Sequence, residues 1–486
     1  MSAGLRPLLP LLLMMVVALL GGCSTYRPWQ NVVARADESL VVTGAPGGRG
    51  RLGDRHGEGP TIVVALTLSG GGARAAAFGL GILRELQATR FVWEGRPTTL
   101  LDEVKLIGGV SGGSILAAHY AAFGDETLTR FEPEFLLDNV DGGLVRSMLS
   151  PSGFRELTSP WYGRSNLLEE RLSTLYGQRR FGDLAARPKA PLLLVTATDL
   201  TTGAPFEFTY EQFALICSDL NSVPLSFAVA ASSAVPVLLS PLTLRNYAGE
   251  CGQRLPPAAR KDTAGEAAAG ESGYRVRMLQ SSAESYVNVR ERPYLHLVDG
   301  GLADNLGLRG LLDRVVARGS IQDSLHDVAA GSIRKVILIA VNSERETADR
   351  IDLSDRVPTV AQVANALLFG AGSRSTRVTL AMLDDDLQRW NAELARVRGG
   401  PGSPFAADAE IHVVSVSLRD VPDPERRRLA LQVPTAFTIA AEDVKLLQDA
   451  GREVLQRSPA FQRLTRSLGA APAPPRAADA ASAPAT

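Results

Sequence analysis

A serine can stand at the apex of a sharp strand-to-helix turn only where its neighbours let the backbone fold back on itself. Gly109-Val110-Ser111-Gly112-Gly113 meets that condition. The pentapeptide follows the short apolar run Val104 to Ile107 and precedes the helix-like stretch Ser114 to Phe123. This order predicts a strand, an elbow and a helix, with Ser111 in a strained geometry that lifts its hydroxyl clear of the main chain. Glycines two residues to either side remove Cβ atoms that would collide. A glycine-rich βα loop with an incidental serine fits the same five residues, so the rest of the chain must separate the two readings.

Two further stretches bear on the choice. Thr61 to Leu68 is an apolar run of buried-strand type. It breaks at Ser69-Gly70-Gly71-Gly72-Ala73-Arg74 and resumes as the helix-forming Ala75 to Gln87. A glycine turn that opens a helix offers unpaired N–H groups and the positive end of the helix dipole, so negative charge is welcome there. Gly70 to Ala75 also fits the dinucleotide fingerprint, which expects an acidic residue about 20 positions on. Only Glu94, after the weak run Phe91 to Trp93, stands near that place. A P-loop is excluded by the missing Gly-Lys-Ser/Thr ending. The remaining use is an oxyanion hole formed by the amides of Gly70, Gly71, Gly72 and Ala73, with Arg74 adding positive charge beside the loop. The other stretch is Tyr294 to Gly301, where a strand delivers Asp299 at its C-terminal end and then turns on two glycines. The C-terminal edge of parallel strands is where such sheets bind ligands, which makes Asp299 a candidate general base. Strand alternation puts His296 on the opposite face.

Further strands are predicted at Pro191 to Asp199, Lys335 to Val341 and Ile411 to Leu418, with helices around Val360 to Phe369, Arg377 to Val397 and Glu442 to Gln456. This repeating pattern predicts a three-layer α/β fold, a mostly parallel central sheet flanked by helices, over residues 61–466. Gln253 to Gly273, rich in alanine, glycine, proline and charge, reads as a surface excursion, and 467–486 as a disordered tail.

The N-terminus reads as a secretory signal over residues 1–22: one basic residue, the apolar run Leu8 to Leu20, then Leu20-Gly21-Gly22-Cys23. Small residues before a cysteine resemble the lipobox of bacterial lipoproteins, which implies lipidation of Cys23 and firm membrane attachment. Ser24 stands where an aspartate would signal inner-membrane retention, so the resemblance implies the outer membrane, facing the periplasm. Residues 23–60, polar and glycine-rich beyond the anchor, read as a tether. Cys217 and Cys251 are the other cysteines. In an exported protein they invite a disulfide, which would close a loop of about 35 residues and stabilise by roughly 3 to 4 kcal/mol; two free buried thiols are the alternative. A net charge of -1 with no polybasic stripe gives no reason to expect nucleic acid. No CxxC or HExxH spacing points to a metal, and no cofactor is expected.

In this order the blocks resemble the patatin-like phospholipase family, over Ile62 to Gly310. The carrying residues are Ser69 to Arg74, Gly109 to Gly113, Ala231-Ser232-Ser233-Ala234-Val235-Pro236 and Asp299-Gly300-Gly301, with Thr198 to Gly203 like the segment after a central strand. The chain departs in having Ala75 where the family usually has glycine, and Gly307 where it often has proline. The resemblance implies a Ser111–Asp299 dyad in place of a triad, acting on membrane lipid esters. A histidine-assisted triad is the mechanistic rival, with His326 or His412 in the chain order of α/β-hydrolases; His119 would lie about 80° around its helix from Ser111. A non-catalytic envelope lipoprotein that binds lipid or a protein partner is the alternative function.

Overall fold

The computed structural model describes residues 29–34, 61–187, 189–250, 273–325, 328–345, 351–359, 362–363, 366 and 371–470. The predicted signal, Cys23, most of the tether, Cys251, all but the last residue of the excursion, His326 and the tail beyond Ala470 lie outside the described residues, as does nearly all of the helix expected at Val360 to Phe369.

The described residues form ten strands: β1 (Thr61–Leu68), β2 (Arg90–Trp93), β3 (Arg96–Thr99), β4 (Val104–Val110), β5 (Leu192–Asp199), β6 (Pro205–Glu207), β7 (Leu242–Arg245), β8 (Tyr294–Val298), β9 (Ile333–Asn342) and β10 (Phe405–Ser417). The main sheet runs β10-β9-β1-β4-β5-β8-β7 with β6 against β5, while β2 and β3 form a separate hairpin. The helices that frame the site are α1 (Gly72–Ala88), α2 (Gly112–Phe123), α3 (Val140–Leu149), α4 (Pro151–Leu157), α5 (Arg164–Tyr176), α6 (Leu225–Ser232), α7 (Arg309–Arg318), α8 (Ala371–Val397) and α9 (Ala441–Arg457).

The apolar strand runs exist because both faces of the sheet are covered. Ile62, Val64, Leu66 and Leu68 of β1, with Ile337, Ile339 and Val341 of β9, join the large buried cluster that includes α1, α2 and α9. The alternate residues Ala65, Leu338 and Ala340 meet Leu312 of α7 and Leu383 of α8 on the other face. The result is the expected three-layer α/β architecture around a mostly parallel sheet.

One strand runs against expectation. β8 pairs antiparallel with both β5 and β7, so Asp299 does not arrive on a parallel strand. A buried apolar run reads the same in either direction, and only its pairing reveals which way it points. The registers still converge. Val110 lies opposite Thr196 in the parallel pair, and Val298 lies opposite Thr198 in the antiparallel one. The next residue of each strand, Ser111 and Asp299, therefore comes level with Ala197 from opposite directions.

Part of the predicted tether is docked on the body. Asn31 is buried. It donates to Ser218 Oγ and Arg245 O at 3.0 and 2.8 Å, and its own carbonyl accepts from the Tyr247 hydroxyl. Satisfied polar groups, which carry no hydrophobic period, hold this segment.

Candidate active site

The elbow forms as its glycines require. Ser111 sits at φ 49°, ψ −124°, between β4 and α2, and is 5% exposed. A Cβ on Gly112 would lie 2.0 Å from Gly72 O, and one on Gly113 would lie 2.3 Å from Leu68 O. The elbow and the glycine turn after β1 thus pack backbone on backbone, which no larger residue permits. The Ser111 amide donates to Ser232 Oγ at 2.8 Å, and that hydroxyl donates to Thr196 O at 2.6 Å. Ser232 thus ties α6 and β5 to the elbow.

Asp299 faces the serine. Ser111 Oγ donates to Asp299 Oδ2 at 2.7 Å, and the Gly301 amide donates to Oδ1 at 2.8 Å, which fixes the carboxylate plane. The Asp299 amide is tied to Ala234 O, and its carbonyl accepts from Thr198 Oγ1. Burial pushes the carboxyl up to about 6, although the hydrogen bonds from Ser111 and Gly301 pull the other way. An aspartate of ordinary acidity is a weak base for a serine, and a carboxyl raised to about 6 is a stronger one.

The four amides expected to face an oxyanion are not equivalent. The Gly70 amide donates to Asn305 O at 3.0 Å and that of Ala73 to Ala436 O at 2.7 Å, so neither is available. Among the described residues the amides of Gly71 and Gly72 have no backbone partner, and Gly71 borders the cleft beside Ser111. The turn is held from outside. Ser343, just past β9, donates from Oγ to Gly70 O at 2.9 Å, while its amide donates to Ser69 Oγ at 2.8 Å.

Arg74 is neither solvated nor loose. It is 2% exposed and donates to Ser343 O, Val433 O and Thr435 Oγ1 at 3.0, 2.7 and 3.1 Å. Burial, aided by the charge of Arg345, pushes it down to about 9, which leaves it cationic at neutral pH. It lines an open cleft of about 650 Å³, solvent at the mouth included, together with Ser111, Asp299, Gly71 and Asn305. Ser343, Val433 and Thr435 escaped the sequence reading, since hydroxyls and carbonyls that grip a distant turn leave no local pattern.

The two departures noted above have local explanations. Ala75 is buried in the first turn of α1, its amide directed at Gly71 O. Gly307 adopts φ +64°, which proline cannot reach.

The histidines stand elsewhere. His119 is fully buried on α2, bonded to Thr127 Oγ1, and burial pushes it down to about 4. His296 contacts Thr243, and His412 contacts Glu410 on β10. Among the described residues no histidine lines the cleft. Glu94, the acid a dinucleotide site would need, occupies the β2–β3 turn, outside the main sheet. Cys217 is buried and disulfide-bonded; its expected partner Cys251 lies outside the described residues. No group of three His, Cys, Asp or Glu side chains among the described residues could hold a metal ion.

A family model described as patatin-like phospholipase matches residues 66–312, half of the chain. No curated protein matches the chain in sequence. Among solved structures, human GIVD cytosolic phospholipase A2 is similar at 14% identity and a TM-score of 0.43, covering 90% of this chain and 67% of that one. Human GIVD cytosolic phospholipase A2 in complex with methyl gamma-linolenyl fluorophosphonate matches at 15% identity and a TM-score of 0.37, covering 85% and 59%. The type III effector protein ExoU matches at 15% identity and a TM-score of 0.21, covering 85% and 80%.

Proposed function

The chain belongs to the patatin-like phospholipase family, and from that premise we propose that it is a serine acyl hydrolase acting on the carboxylic esters of phospholipids or lysophospholipids. The observation that carries the reading is the 2.7 Å hydrogen bond from Ser111 Oγ to an Asp299 carboxylate whose other oxygen is anchored. In the proposed reaction Ser111 Oγ attacks the ester carbonyl carbon and its proton passes to Asp299 Oδ2. The oxyanion takes hydrogen bonds from the free amides of the turn, Gly71 foremost, near the Arg74 cation. Collapse breaks the bond to the alcohol, which leaves with the proton held by Asp299. Water then attacks the acyl-enzyme, gives its proton to the same carboxylate, and releases the fatty acid and the serine.

The anchor belongs to the same reading: Cys23 lipidated, the mature protein held on the periplasmic side of the outer membrane, and Cys217 bridged to Cys251. Labelled palmitate incorporated by the wild type and lost in Cys23→Ser would support the anchor.

The decisive experiment treats purified protein with a fluorophosphonate and maps the adduct, alongside fatty-acid release from phospholipid vesicles. The expected outcome is a single adduct on Ser111 and a rate at least about 10³-fold lower in Ser111→Ala. An adduct elsewhere, or no release from any ester, would favour a protein that binds lipid or a partner without cleaving it.

A further inference from the structure

Near the cleft several large apolar side chains stand exposed among the described residues. Val145 and Leu149 of α3, Phe154 of α4, Trp161, Val237 and Leu238 are each at least 40% exposed, and Leu149 reaches 79%. They are linked step by step to the site. Val235 and Pro236 line the cleft, and Val237 and Leu238 follow them directly. Arg164, three residues after Trp161, donates to Val237 O at 2.8 Å. On the other side, Asp141 at the start of α3 exchanges two hydrogen bonds with Thr438, and Thr435 of that loop lines the cleft. Exposed large apolar residues standing singly need no explanation, but several on segments tied to one cleft do.

Two further observations point to what the face meets. Its exposed charges are of one sign: Arg146 and Arg155 of α3 and α4 are exposed, with exposed Arg164 beyond, while the acids of the same helices, Asp141 and Glu156, are half-buried and Asp141 is tied to Thr438. Arginines set among exposed leucine, phenylalanine and tryptophan match a surface of anionic headgroups over acyl chains. Val237 is held at φ +74°, a strained conformation for a β-branched residue, with its side chain 73% exposed. The strain turns an apolar side chain outward at the lip of the cleft.

We propose that this face, formed by α3, α4, Trp161 and the 237–238 loop, is the surface by which the protein lies on an anionic phospholipid bilayer, with the cleft mouth against the lipid. The orientation rests on the hydrolase reading; the docking itself does not. Interfacial burial, beyond any lipid anchor, would then deliver an ester to Ser111 without full extraction of the lipid into water.

The test uses the full chain on vesicles of phosphatidylglycerol and phosphatidylethanolamine carrying brominated acyl chains. Quenching of tryptophan fluorescence reports which of the four tryptophans enters the acyl region. Trp161→Phe is expected to remove more than half of the quenching. The exposed pair Leu149→Asp with Phe154→Asp is expected to lower hydrolysis of vesicle phospholipid at least ten-fold, with hydrolysis of a monomeric short-chain ester within two-fold of wild type. Quenching unchanged in Trp161→Phe would overturn the proposal. So would a double variant that still cleaves vesicles at the wild-type rate, or one that changes from dimer to monomer with quenching intact, which would assign the face to a second copy. If the wild type cleaves no ester while quenching still depends on Trp161, docking stands and the hydrolase reading falls.

Discussion

In the proposed reaction Asp299 handles every proton, and its environment makes its behaviour measurable. A carboxyl raised to about 6 by burial is largely ionised at neutral pH and protonated below. Esterase kcat/KM should therefore rise with pH through a limb centred near 6, and a profile already flat from pH 4.5 would contradict the assignment of Asp299 as base. Stability should move the other way. Below the ordinary aspartate value the group is neutral in both folded and unfolded chains, and burial costs no charge. Above about 6 it is ionised in both, and the folded state bears the full cost of burying it. A shift of about two units corresponds to about 3 kcal/mol. Asp299→Asn should thus be inactive yet more stable than wild type, with a Tm advantage that grows between pH 4 and pH 7. A constant or shrinking difference in parallel melting curves would count against it.

At the scale of elements, the elbow and the glycine turn work as one interlocked pair. Gly113→Ala would drive a methyl group into Leu68 O, a backbone atom that cannot step aside. A loss of about 1–3 kcal/mol is expected from denaturant midpoints, with activity falling further than stability. A fully active Gly113→Ala would show that the packing described here is not maintained in solution. Ser232→Ala removes the hydroxyl between Ser111 N and Thr196 O. It should cost about 1 kcal/mol and lower kcat more than it raises KM. The same interlock explains what could be read in advance. Close backbone approach demands glycine, and glycine at fixed spacing is visible in one sequence, so the elbow, the turn and the strands that carry them were legible. The direction of β8 was not, because alternating burial along Leu295, Leu297 and Val298 is the same whichever neighbour it pairs with. Nor were the partners of the Gly70 and Ala73 amides, since any residue can lend a carbonyl. The docked Asn31 was missed for the related reason that polar anchoring has no period.

For the molecule as a whole, the matched family segment ends at residue 312, yet the glycine turn after β1 is gripped from beyond it by Ser343, Val433, Thr435 and Ala436. α9 packs on α1 at close range: a Cβ on Gly81 would lie 2.1 Å from Gln448 O, and one on Gly451 would lie 2.4 Å from Phe78 O. α9 and the 433–436 segment are thus part of the core rather than an appendage. Arg74→Lys keeps the charge but loses the planar fork that reaches Ser343, Val433 and Thr435 together. It should reduce kcat about ten-fold or more with little change in Asp299 titration, and unaltered kcat would show that the grip is dispensable.

The Arg74 clamp has a consequence for when the protein can act. Val433 and Thr435 lie 359 and 361 residues beyond Arg74, so they are made long after it. Until they arrive, the arginine lacks two of its three acceptors and the Ala73 amide lacks its carbonyl. A centre assembled in that order stays unformed until both halves of the clamp have been made, so any chain broken off before Val433 carries Ser111 and Asp299 without a fixed turn beside them.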